Sequence, residues 1–403
     1  MKVAVVGAGT VGTTTAYELA RDGHQVTVFE RRSSCAEEGS FAHPGWCTPA
    51  WPAVVAPQPH KPTLQWAWPL TWAETRWWWS HRRATATPPP QSMALARYSH
   101  ERLLSLQHDL KLQLEHSTGA LLLWRRAGAA PAVPGLQTRL AEAGVAHRLL
   151  DPAQAYATEP GLHRATPLYQ ALLLPEEGGY NARQFTLQLK SEATRLGVTF
   201  RFNTAVKGLQ PGEQARVQWQ ADDAMAATET PFDAVVVCAG PDSTHMLRAA
   251  GLVLPMVRVW GRSISVPVQE AMDAPQGTVF DVEHGATITR LGQWVRIAAG
   301  MRLGGGADGQ RDTGFQQLYR LLGDWFPGTL PRQRRGASTT PTLEWTGARA
   351  FTLDKQLRLG PSGLPGVWLN TGHGGQGWSL ACGSARVLAD QLKGTAPAVD
   401  WRS

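Results

Sequence analysis

Apolar and polar positions along the chain switch between two periods, and each switch marks an element. KVAVVGAG, from Lys2, is a β-branched apolar run that predicts a buried strand. TVGTTTAYELARDG then has helical spacing and ends at Gly23, and HQVTVFE predicts a second strand. Regularity drops from about Ala42 to Pro90, a proline- and tryptophan-rich stretch. An amphipathic helix is predicted from Ser92 to His116, a strand over LLLWRRAG, a helix from Gly135 to Gly144, and a loop–helix connection around DPAQAYATEPGL. From Tyr180 the α/β pattern returns. NARQFTLQLKSEATRLG predicts a helix closed by Gly197, VTFRFNTAVKGL a strand, and PFDAVVVCAG an apolar strand closed by glycine. Between Met256 and Gly305 the runs VRVWGRSISVPV, GATITRL and WVRIAAGMRL predict an antiparallel sheet. The final block, VWLNTGHGGQGWSLACGSARVLADQL, predicts a strand, a glycine-rich turn and a long helix.

Bulk properties narrow the function classes. The 403 residues carry a formal charge of +7 that is scattered rather than clustered. No zinc-finger, helix-turn-helix or RNA-binding signature is present, so nucleic acid is not an expected partner. A moderate positive charge is compatible with an anionic substrate or anionic lipid. There is no apolar run of eighteen residues, hence no expected membrane span. MKVAVVGAGTVG runs directly into a strand without a separate leader. Cys35, Cys47, Cys238 and Cys382 show no Cys-x-x-Cys spacing, which predicts neither a metal site nor a disulfide framework and fits a reducing cytoplasm.

The chemistry begins at Gly7-Ala8-Gly9-Thr10-Val11-Gly12, a GxGxxG between a strand and a helix. Glycines there permit a tight turn and close approach of a pyrophosphate, which the helix N-terminus attracts. Glu30, eighteen residues after Gly12 at the end of the second strand, is placed to accept hydrogen bonds from ribose hydroxyls. Ala239 and Gly240 close a further strand. The turn Gly372-His373-Gly374-Gly375-Gln376-Gly377 feeds the C-terminal helix, as in flavoproteins of the glutathione-reductase type. The expected fold is therefore α/β with an α+β insert: a discontinuous Rossmann-like FAD-binding domain carrying an antiparallel-sheet substrate domain. Residues 1–90, 151–240 and 341–403 are assigned to the first, and 91–150 and 241–340 to the second.

Several longer stretches, GSFAHPGW, GYNAR, GRSISVPV, ITRLGQWVRIAAGMRLGG, WTGARAFTLD and NTGHGGQGWSLACGS, carry a resemblance across the whole chain. The chain resembles the FAD-dependent oxidoreductases related to D-amino-acid oxidase, with the small subunit of bacterial D-amino-acid dehydrogenase most similar. The resemblance implies oxidation of an amino acid's Cα–N bond, with non-covalent FAD and either quinone or oxygen as electron acceptor. It places the carboxylate-binding arginine at Arg349 and further FAD contacts at Arg31, Ser40 and Val206. His43, where the family usually has asparagine, is expected beside the flavin, either tuning it, meeting substrate or serving structure. His373 is expected to shape the turn.

Departures from the family pattern bear on substrate choice. Gly261-Arg262-Ser263 stands where the dehydrogenases usually read Gly-Tyr-Ser, and a usual glutamate near Arg302 is absent. Arg262 or Arg302 is therefore expected to meet a second acidic group. The family's Arg-Pro-Met-Thr-Pro-Asp run is here Arg349-Ala350-Phe351-Thr352-Leu353-Asp354. No cysteine lies in that loop to attach flavin covalently. Two alternatives stay open: an oxygen-using D-amino-acid, glycine or sarcosine-type oxidase, and a non-catalytic flavin-binding partner protein. Homo-oligomerisation is also open.

Eight tryptophans fall between Trp46 and Trp79: Trp46, Trp51, Trp66, Trp68, Trp72, Trp77, Trp78 and Trp79. They suit core packing, an aromatic lid over the site, or a monotopic bilayer contact in which Arg76, His81, Arg82 and Arg83 meet lipid phosphates. The last reading would suit a dehydrogenase that is peripheral on the cytoplasmic membrane.

Overall fold

The computed structural model describes residues 1–50, 54, 64–66, 69–82, 90–128, 133–305, 311–330 and 342–401. Two large sheets organise them. In the six-stranded sheet, the strands Gln25–Phe29, Lys2–Val6, Ala234–Val237 and Val367–Thr371 run parallel, extended by Thr199–Arg201 on one edge and antiparallel Arg358–Pro361 on the other. Val3, Val5, Val26, Val28 and Val236 are fully or almost fully buried on one side, against the helices Thr10–Arg21, Ala182–Arg195 and Gly377–Lys393. Continuous β-branched runs of this kind are what a sheet covered on both faces requires.

The ten-stranded sheet is mostly antiparallel, with Met256–Pro267 between Leu343–Thr352 and Trp294–Leu303, followed by Ala286–Leu291, Thr278–Asp281, His116–Trp124 and Gln170–Tyr180. Its middle strands alternate sharply. Ile264, Val266, Val295, Ile297 and Ile288 face the helix Arg311–Trp325, whose Phe315, Leu318, Leu322 and Trp325 complete that core. The opposite face presents Arg349, Gly261, Ser263, Ser265, Arg296 and Thr289, paired across neighbouring strands. A two-faced sheet with one polar side predicts a site on that side.

Several sequence expectations shift. The helix expected to reach His116 spans Pro90–Asp109, because Lys111 takes a left-handed φ of 54° and turns the chain into the strand His116–Trp124. VTFRFNTAVKGL is two strands, since Asn203 has φ 50°. Thr199–Arg201 stays in the parallel sheet, and Thr204–Gln210 joins a small antiparallel sheet with Ala215–Ala221 and Thr228–Phe232. The strand Gln170–Tyr180, within the stretch assigned to the nucleotide domain, pairs instead into the ten-stranded sheet. The helix Arg311–Trp325 was not among the predicted elements.

Candidate active site

A long cleft runs along the carboxyl ends of the parallel strands and reaches the polar face of the larger sheet. At its centre the glycine motif does what local sterics demand. Gly7 has φ 102°, and a Cβ on it would lie 2.8 Å from the Cys238 carbonyl oxygen. A Cβ on Gly12 would lie 1.9 Å from the Gly7 carbonyl oxygen, so the helix can pack this closely only with glycine there. Gly9, Thr10, Val11 and Ser40 line the cleft, with the Thr10 N–H donating to Ser40 Oγ at 3.2 Å.

One end is bounded by Glu30, Arg31, Val206, Ala239 and Gly240. The Glu30 carboxylate accepts from the N–H groups of Ala8 (2.7 Å) and Arg32 (2.9 Å), while burial pushes its pKa up. Arg31 spans the mouth, paired with Glu38 at 2.6 Å and Asp242 at 2.7 Å. Asp242 and Met246 also line this end, and neither stands out in the sequence.

At the other end stand Gly372, His373, Gly374, Gly375 and Gly377, opposite His43 and Arg349. Gly12 and Gln376 do not line the cleft: Gly12 packs on Gly7, and Gln376 caps the helix Gly377–Lys393. Two helices, Thr10–Arg21 and Gly377–Lys393, thus begin at the cleft and direct positive dipole ends into it. Asn370, also in the lining, has its buried Oδ1 without a partner. An extended dinucleotide fits this set: acceptor carboxylate, glycine cradle, two helix N-termini and an unsatisfied polar atom along one groove.

Arg349 faces the cleft at this end. It sits on the polar face in the strand Leu343–Thr352, and no carboxylate pairs with it among the described residues. Burial pulls its pKa down, which marks a cation held away from bulk water. A Cβ on Gly261 would lie 3.1 Å from its Cζ, so glycine clears the space the guanidinium occupies.

Arg262 does not join it. Strand alternation turns Arg262 to the other face, where its Cζ lies 5.6 Å from the Phe315 ring and it shares a small pocket with Arg302 and Gly314. A register shift between Trp260 and Arg262 brings Arg302 to that same face. The expected meeting of Arg262 or Arg302 with substrate in this cleft is thereby corrected, because the helix Arg311–Trp325 covers both.

His43 ties three parts together. Its Nδ1 accepts from the Gly45 N–H at 3.1 Å, its carbonyl accepts from Arg296 Nη1 at 3.0 Å, and its ring bonds the backbone of Gly375. Burial first, then the charges of Arg349 and Arg296, push its pKa down to about 3. His373 is likewise driven to about 3 by burial, with Nε2 3.3 Å from Ser384 Oγ. Both rings are neutral at working pH and are poorly matched to proton transfer near neutrality. They also impose a pH dependence on stability. The folded pKa lies below the unfolded one, so the contribution is complete above about pH 6.5 and is lost as pH falls towards about 3. Melting temperatures measured down this range are expected to fall less steeply for His43→Asn than for the parent chain; parallel curves would refute the assignment.

The tryptophans divide. Trp46 is buried 5.4 Å from the Phe280 ring, and Trp77 is buried among Val257, Val259 and Leu303. Trp77 also lies 5.3 Å from Phe351, whose ring occupies the space a Gly374 Cβ would need. Trp77 therefore buttresses the glycine turn from behind. Trp66, Trp72 and Trp79 are 49%, 70% and 50% exposed, with Arg76 5.2 Å over the Trp72 ring. Trp51, Trp68 and Arg83 lie outside the described residues.

Fold and cleft together define a dinucleotide-binding protein with a buried arginine, Arg349, at one end of the groove. Residues 2–391 match the DAO family of FAD-dependent oxidoreductases, and the chain belongs to that family. It is 34% identical over 419 residues to a D-amino acid dehydrogenase of Methylobacterium radiotolerans, covering 99% of this chain and 97% of that one. A D-amino acid dehydrogenase of Xanthobacter autotrophicus is 32% identical over the same shares. Among solved structures, glycine oxidase from Geobacillus kaustophilus superposes with a TM-score of 0.77 at 20% identity, covering 99% of this chain and 96% of that one. Iminodiacetate oxidase from Chelativorans gives 0.75 at 21% identity over 99% and 97%. FAD is the dinucleotide of the family, and among the described residues no helix is long and apolar enough to cross a membrane.

Proposed function

We propose that the protein oxidatively deaminates a D-amino acid with non-covalent FAD and passes the electrons to a quinone-type carrier. The observation that carries this reading is Arg349, a cation without a carboxylate partner among the described residues, facing the cleft opposite the glycine turn. FAD supplies the acceptor for the hydrogen and two electrons that leave Cα, and the imino acid formed is hydrolysed to a 2-keto acid and ammonia. The chain's own contribution is placement. Arg349 fixes the α-carboxylate through a planar fork. His43 locks the Gly45 segment to the glycine turn, and its neutral ring leaves the loss of the substrate's ammonium proton to water. The names of the dehydrogenase relatives support this substrate class.

The test is anaerobic mixing of the FAD-loaded protein with D- and L-amino acids, glycine and sarcosine, followed by reoxidation with a soluble quinone or with air. Bleaching by D-amino acids and faster reoxidation by quinone is expected. Rapid reoxidation by air would make it an oxidase, and bleaching by no compound would overturn the assignment. Acid precipitation should release the yellow cofactor into the supernatant; flavin retained in the pellet would contradict non-covalent binding.

Exposed Trp66, Trp72 and Trp79 beside Arg76 support peripheral contact with anionic lipid. Co-sedimentation with anionic vesicles is expected, and Trp72→Ser with Trp79→Ser should abolish most of it. Equal sedimentation of parent and double variant would dismiss this surface.

A further inference from the structure

The sheet face that carries Arg349 holds more positive charge than one α-carboxylate requires. Arg296 lies on that face, across the sheet from Arg349, and donates to Ser265 Oγ at 2.8 Å and to the His43 carbonyl at 3.0 Å. These bonds fix a cation in place without neutralising it. Trp345 extends over Gly347, next to Arg349 on the same strand face, and its ring stacks 5.9 Å from Phe41. Arg183 places its Cζ 4.7 Å from the centre of the Phe41 ring. Arg183 Nε is buried without a partner, and so is Ser263 Oγ on the strand face between Arg349 and Arg296.

Arg349 and His43 line the cleft, Arg296 is bonded to His43 behind them, and Arg183 lies near enough to act on Arg296; among the described residues none of the three arginines is paired with a carboxylate within 4.0 Å. Glu115 is the acidic group acting on Arg296, and it is itself engaged by Asn181 Nδ2 at 2.7 Å. Burial, with Arg183 adding to it, pulls the Arg296 pKa down to about 10 despite Glu115. Concentrated buried charge of one sign is costly unless a counter-ion enters.

We propose that Arg183 and Arg296 form a second anion position in the substrate chamber, and that the preferred substrate is a D-amino acid with an anionic side chain, of the aspartate or glutamate kind. The α-carboxylate occupies Arg349 and the side-chain carboxylate turns towards Arg183, across the Phe41–Trp345 stack. The substrate class rests on the D-amino-acid reading above; the second anion position does not.

Two measurements separate them. The FAD-loaded protein is first titrated with succinate, glutarate and butyrate, which have no amine to oxidise, while the flavin absorption band is followed. A dicarboxylate is expected to bind about tenfold or more tightly than butyrate. Anaerobic flavin reduction is then compared for D-glutamate and D-aspartate against D-glutamine and D-norvaline. The expected ratio of kcat/KM, acidic over neutral, is about tenfold or more. Arg183→Met should bring both ratios close to one, and Arg183→Lys should retain most of each. Equal binding of mono- and dicarboxylates, or ratios unchanged in Arg183→Met, would overturn the second anion position. Reduction by neutral D-amino acids as fast as by acidic ones would do the same while leaving the D-amino-acid reading intact. Tight dicarboxylate binding with no reduction by any D-amino acid would leave the anion position standing and remove that reading. Should Arg183→Met fail to fold, the ligand titration of the parent protein decides alone.

Discussion

Arg349→Leu is expected to lower kcat/KM for the best substrate by about a hundredfold to several thousandfold, because a buried carboxylate that loses the cation it is bonded to gives up about 3–5 kcal/mol. The adjacent strand positions supply no replacement. Gly261 leaves room for the guanidinium and supplies no polar side chain, and Arg262 points to the other face of the sheet. Lysine at 349 should restore only part of the activity, since a single ammonium cannot reproduce the two parallel hydrogen bonds of the arginine fork. Most of the loss should fall on KM if Arg349 holds substrate and transition state alike, and on kcat if it aligns Cα with the flavin. The check is steady-state and anaerobic single-turnover kinetics on variants whose FAD content is measured separately. An Arg349→Leu enzyme within about threefold of the parent, a difference below about 1 kcal/mol, would remove this residue from the site.

The position of Arg349 on the cleft was legible because the resemblance reaches it through a contiguous stretch, WTGARAFTLD. The glycines were legible for a different reason: their requirement is local. Gly7 and Gly12 are forced by atoms one turn away, and a strand–turn–helix pattern displays that demand without tertiary information. Arg262 shows the opposite case. Its face depends on strand parity through an irregular register and on the helix Arg311–Trp325, fifty residues further along. The apolar spacing Phe315, Leu318, Leu322 and Trp325 signals that helix, and with it the face of the sheet that is closed. Arg183 and Arg296 could not be joined from sequence at all. They belong to elements more than a hundred positions apart, and what brings them near each other, Arg183 on the Phe41 ring and Arg296 on the His43 carbonyl, is tertiary. The eight tryptophans likewise admit no single reading, since Trp77 faces the sheet while its helical neighbours Trp72 and Trp79 face outward.

A second long-range association carries the other large effect. Glu18, fully buried in the helix Thr10–Arg21, accepts from Arg102 Nε at 2.7 Å and from Arg386 Nη1 at 2.9 Å. Arg386 also pairs with Asp22 and with Asp390, the latter at 2.8 Å. Burial opposes its charge, but Asp22, Asp390 and Glu18 more than offset this, so its pKa is raised. Asp22 is held low mainly by Arg386, against the opposing effect of its own burial. This network binds together the two helices whose N-termini enter the cleft, with Pro90–Asp109 as the third member. Removing Arg386 takes the closest cation from Asp22 and Asp390 and leaves Glu18 to Arg102 and the more exposed Arg21. Arg386→Met is therefore expected to destabilise the fold by about 3–5 kcal/mol. Replacing Glu18, Asp22, Arg102 and Arg386 together by apolar residues of similar volume should cost less than Arg386→Met alone, since the partner then left behind, Asp390, reaches solvent. Because the same contacts join the two helices that begin at the cleft, Arg386→Met should also weaken FAD retention. Urea unfolding of the FAD-free protein isolates the first effect, and a fluorescence titration with FAD reads the second. A destabilisation below about 1 kcal/mol would place the network among surface ion pairs of little consequence, which its burial does not allow.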